Sequence, residues 1–78
     1  MRFPSKAQLA ALRERYPRGT RVELLGMDDP QAPPPRTMGE VMGVDDAGQL
    51  LVRWETGSSL SLIPGVDSFR IAEKGGQS

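Results

Sequence analysis

A chain of 78 residues with neither cysteine nor histidine has to hold itself together by burial and backbone pairing alone. No disulfide can staple it, and the usual zinc-finger ligand sets cannot form. A domain of this size hides only about 60% of the surface its unfolded chain exposes, so burial and ordering entropy nearly cancel. One domain with regular β-pairing around a small core is the expected solution. The same two absences bear on chemistry: the commonest general base and the thiol nucleophile are both missing. That favours a non-enzymatic protein that uses no cofactor.

The hydrophobic period changes once along the chain. Ser5 followed by Gln8 is a capping-box pattern, and it predicts a helix from Lys6 to about Arg15. Leu9, Leu12 and Tyr16 share one face of it, and Pro17 stops it. About ten residues make a helix that is marginal alone, so the leucine face must pack on something. From Gly19 the pattern alternates instead. Thr20 to Leu25, Glu40 to Val44, Gln49 to Trp54, Leu60 with Leu62, and Phe69 with Ile71 read as five short strands. Asp45-Asp46-Ala47-Gly48 and Glu55-Thr56-Gly57 close tight turns, so the second, third and fourth strands should form a meander. Met27 to Met38, rich in proline, is a long stiff loop, and Ile63 to Asp67 is a compact turn. The expected division is a helix and linker over 1–18, a β-domain over 19–73 and a disordered tail over 74–78.

Charge is balanced overall and divided locally. The first 21 residues carry Arg2, Lys6, Arg13, Arg15, Arg18 and Arg21 against Glu14, a surplus of five positive charges. The remainder has four basic residues against nine acids, a deficit of five. Either the basic segment folds back onto the acidic body, or those six cations form a weak, salt-dependent nucleic-acid contact. Arginine outnumbers lysine eight to two in a chain rich in Ala, Gly and Pro, which suggests a high-GC bacterial or phage genome. No apolar run approaches the roughly 20 residues needed to span a bilayer. The N-terminal residues also lack a continuous apolar run of signal type, so a cytoplasmic protein without membrane contact is expected.

Motifs of catalysis are thin. Asp28-Asp29 and Asp45-Asp46 are the only paired carboxylates, and beside proline or glycine such pairs form turns by bonding their own backbone. Paired carboxylate oxygens could in principle hold Mg²⁺ or Ca²⁺, but calcium needs more ligands than either pair offers, and the turn-forming role outweighs a metal site. Asp67 is expected to cap local N–H groups, and the glycines follow no phosphate-binding pattern. Trp54 shares a strand face with Leu50 and Val52, which places it in the core or at its edge. The functional alternative sets Trp54 and Arg53 beside the long loop, where Met27, Asp28, Asp29, Pro33 and Pro34 complete a contact surface for a protein partner.

The order of elements, with a long loop after strand one, a meander, a single turn and a short last strand, is that of SH3-like small β-barrels. The residues carry the likeness further: Tyr16-Pro17-Arg18-Gly19-Thr20-Arg21-Val22, Met27-Asp28-Asp29-Pro30, Gly39-Glu40-Val41, Val44-Asp45-Asp46-Ala47-Gly48, Val52-Arg53-Trp54-Glu55-Thr56-Gly57 and Pro64-Gly65-Val66-Asp67-Ser68-Phe69-Arg70. Together, over residues 16–71, they resemble a family of short bacterial and phage-associated proteins catalogued as a domain of unknown function. The resemblance implies a small barrel often encoded in mobile elements, and with the helix read from its capping box the expected fold is a mainly β, SH3-like five-stranded barrel behind a short helix. The expected role is a protein-interaction or accessory module with an unidentified protein partner, as a monomer or an edge-paired homodimer. Nucleic-acid binding through the basic segment is the alternative.

Overall fold

A computed structural model describes residues 3–75. The chain is mainly β, with one helix, α1 (Lys6–Arg15), followed by β1 (Arg21–Gly26), β2 (Met38–Val44), β3 (Leu50–Trp54) and β4 (Ser68–Glu73). The strands form one antiparallel sheet in the order β3-β2-β1-β4. Among the described residues no helix is long and apolar enough to cross a membrane.

Helix α1 begins as its first residues dictate. The Ser5 hydroxyl accepts from the Gln8 N–H at 3.2 Å, and the Gln8 side chain accepts from the Ser5 N–H at 2.8 Å. Two of the orphan donors at the helix start are thereby satisfied. The helix ends at Tyr16, whose backbone has left helical geometry before Pro17. No residue of α1 is fully buried, but Leu9 and Leu12 pack against the core, and Tyr16 sits within it. Tyr16 also meets Phe69 of β4 with ring centroids 5.8 Å apart.

The core lies on one face of the sheet. Val22 and Leu24 of β1, Val41 and Val44 of β2, and Leu50, Val52 and Trp54 of β3 are all buried. Val41 and Val44 are three residues apart, an odd spacing that would put them on opposite faces of a regular strand. A bulge reconciles them: Val41 pairs with Val52 but Gly43 with Leu51, so Met42 is an extra residue and Val44 returns inward opposite Leu50. Gly39 lies opposite Trp54, and an added Cβ there would come within 2.6 Å of the indole. The largest core side chain therefore fits only because its cross-strand partner has none.

Two entrances to the sheet share one device. In Pro17-Arg18-Gly19-Thr20 and Pro34-Pro35-Arg36-Thr37 the threonine N–H and hydroxyl both donate to the proline carbonyl three residues back. The third residue has positive φ in each, 94° at Gly19 and 75° at Arg36, as a type II turn requires. Glycine adopts that backbone freely, whereas arginine holds it under strain.

The expected fourth strand is not one. Leu62 makes a single antiparallel bridge with Leu50, and the carbonyl of Leu60 is taken by the Trp54 indole N–H at 2.9 Å instead of by a ladder partner. The sheet is thus open and four-stranded where a five-stranded barrel was expected, and the meander consists of β1, β2 and β3. Of the expected tail over 74–78, residues 76–78 lie outside the described residues. Gly75 is tied back, its N–H donating to the buried Thr20 hydroxyl at 3.1 Å.

Candidate functional site

The long loop was the expected contact surface, and the structure disperses its members. Trp54 is 1% exposed, so its indole is a core side chain and presents no face to a partner. Pro33 is buried, and Met27 packs against the core, half-buried. Asp28, Asp29, Pro34 and Arg53 are exposed. Asp29 bonds its own loop, accepting from the Gln31 N–H at 2.8 Å. The loop does end beside β3, since Met38 and Glu55 exchange hydrogen bonds. A depression of about 180 Å³ at this end is lined by the charged Arg21, Glu40, Arg53 and Glu55 together with Met38, Gly39 and Trp54.

The basic residues are divided as well. Arg13 reaches the hairpin between β2 and β3, donating to the Val44 carbonyl at 3.1 Å and lying 3.4 Å from the Asp46 carboxylate. Part of the basic segment thus does fold back on the acidic body. Arg21 faces Glu40 on β2 and Glu73 on β4, and Glu40 in turn faces Arg53 on β3. One exposed row across the sheet therefore alternates in sign, Arg53, Glu40, Arg21, Glu73, which neutralises that face locally. Glu23 and Arg70 form a second cross-strand pair, with Arg36 at 4.0 Å from the same carboxylate. Lys6 and Arg18 are exposed, with no ion pair among the described residues, and Arg2 lies outside those residues.

Acidic residues act locally. The Asp45 carboxylate accepts from the N–H groups of Ala47 and Gln49, and that of Asp67 from Ile63. Among the described residues no group of three or more carboxylates is placed to hold a metal ion.

A larger concavity lies elsewhere, between α1, the hairpin after β2 and the turn at Ile63-Pro64, with a volume of about 570 Å³. Gln8, Ala11, Leu12 and Arg15 line its helical side, and their spacing of three and four residues makes them one stripe. Gly48, at φ 83°, lets the helix approach: an added Cβ would meet Pro4 at 3.2 Å and Leu12 at 3.4 Å. Phe3 at the open end is 65% exposed, and Ile63 on the facing turn is 39% exposed. Val66, two residues beyond Pro64, is 75% exposed. Apolar side chains standing in water around one groove are the usual mark of a binding surface. Local pattern could not reveal it, because Phe3 and Ile63 are remote in sequence; the capped helix stripe and the bonded turn at Ile63 were its only traces.

The groove exists only while α1 is docked. Arg13→Ala is expected to raise amide exchange across α1 severalfold while β1 to β4 keep their protection, with a global cost below about 1 kcal/mol because the ion pair is exposed. Hydrogen-exchange mass spectrometry checks this; unchanged exchange in α1 would show that Arg13 does not hold the helix.

Nothing matches the chain among curated proteins or among solved structures. One family does: residues 5–72, from the helix cap to the penultimate residue of β4, match its model, and the chain belongs to the family described as a domain of unknown function, DUF4314.

Proposed function

We propose that the chain is a non-enzymatic protein-interaction or accessory module, built on an SH3-like small barrel, cytoplasmic, and encoded by a bacterial phage or mobile element. The barrel is supported by connectivity: β1 pairs with both β2 and β4, and the Leu50–Leu62 bridge adds one contact beyond β3. The arginine-rich, Ala-, Gly- and Pro-rich composition supports the genomic setting, and the lack of histidine and cysteine supports binding over catalysis. The observation that carries the function is the apolar groove between α1 and the Ile63-Pro64 turn, which replaces the long loop and Trp54 as the contact surface.

The experiment is capture followed by titration. A protein that copurifies with the chain from cells of its source is itself purified and titrated calorimetrically against wild type and Ile63→Asp. Ile63 is partly exposed, so the variant is expected to fold. Affinity should fall about tenfold or more on the substitution. Equal binding by both chains, or no copurifying protein, overturns the assignment.

A further inference from the structure

The groove is continuous with a charged depression. Ala11 and Arg15 line both, and Lys74 and Glu14 complete the second, of about 320 Å³. Two cations against one acid leave this end net positive, and among the described residues neither Arg15 nor Lys74 is engaged in an ion pair. The Arg15 guanidinium lies 5.6 Å from the centroid of the Tyr16 ring, within cation–π range of a side chain fixed in the core. Its planar fork is exposed and offers the geometry that a carboxylate pairs with. Asp67, near the facing turn, accepts from the Ile63 N–H, and Asp46 lies against Arg13, which leaves Glu14 as the one carboxylate in the depression's lining.

An apolar trough that ends in an exposed arginine without an ion pair is complementary to a segment that is itself apolar with an acidic end. We propose that this surface binds a peptide segment of a partner protein in which an aliphatic or aromatic side chain lies next to an aspartate or glutamate. The apolar side chain sits between Phe3 and Ile63, and the carboxylate meets Arg15, with Lys74 adding attraction. The proposal rests on the groove being the interaction surface.

The probe is a short random-peptide library displayed on yeast and sorted against the full chain, with one enriched peptide then synthesised and titrated by fluorescence anisotropy. Enriched sequences should place Leu, Ile, Met or Phe beside Asp or Glu. Affinity should fall about tenfold on Arg15→Glu, less on Arg15→Gln and on Lys74→Gln, and should weaken with added salt. It should be abolished by Ile63→Asp, with circular dichroism showing each variant folded. Enriched peptides without acidic residues, bound equally by Arg15→Glu yet lost on Ile63→Asp, overturn the acidic partner and leave the groove standing. Peptides indifferent to Ile63→Asp, or no enrichment, overturn both. Sedimentation velocity covers the remaining occupant: self-association of the chain that Ile63→Asp abolishes would assign the groove to a second copy.

Discussion

Trp54→Ala is expected to strip the chain of a large part of its stability. The indole is the largest fully buried side chain, and truncating a buried tryptophan to alanine costs about 3–5 kcal/mol. A domain of 78 residues has a total stability of roughly 4–12 kcal/mol, so a loss of that size removes from about a quarter to all of it. Trp54→Phe separates the two contributions of the side chain. It keeps most of the apolar volume but deprives the Leu60 carbonyl of its donor, for about 1–3 kcal/mol, and should fold with a lowered denaturation midpoint. Urea titration followed by circular dichroism distinguishes these outcomes. A Trp54→Ala chain with near wild-type stability would mean that the indole is not the centre of the core, and it would return Trp54 to the list of contact residues.

Gly39→Ala should destabilise by about 2–3 kcal/mol although it adds only one methyl group. The new Cβ would fall within 2.6 Å of both Trp54 and Val52, closer than non-bonded carbons approach, and neither neighbour is the loose end of a long surface side chain. Gly43→Ala on the same strand is the matched control. Nothing lies within 4 Å of a Cβ at Gly43, and its φ is not in the positive region, so the substitution should be neutral or stabilising by up to about 1 kcal/mol. Urea midpoints that shift alike in the two variants would show that the tight approach of β2 to the indole is relaxed in solution.

Much of the fold is legible residue by residue. Ser5 with Gln8 marks the helix start, Pro17 its end, Gly48 the hairpin between β2 and β3 and Gly57 the turn after β3, because each of these features acts within a few residues of itself. What escapes is whatever depends on a distant partner. The bulge at Met42 follows from pairing with β3, and the sequence contains two inward valines without stating how both point inward. Leu60 and Leu62 alternate like a strand, yet the Trp54 indole takes the carbonyl that a ladder would use. The candidate site divides the same way. Aromatic and proline content drew attention to Trp54 and Pro33, but both are buried, while the groove joins residues from the two ends of the chain. The matching turns before β1 and β2 were also hidden, since Arg36 stands where a glycine would have signalled positive φ.

Because one wall of the groove is α1, and α1 is docked without a single fully buried residue, filling the groove and docking the helix are two readings of one equilibrium. Any ligand that needs both walls draws its affinity from the docked population alone, and it adds that binding free energy to the docking of the helix. Arg13 is then a latch that holds α1 on the acidic hairpin. Salt that loosens this latch lowers the docked population, and with it the affinity of any ligand that needs both walls.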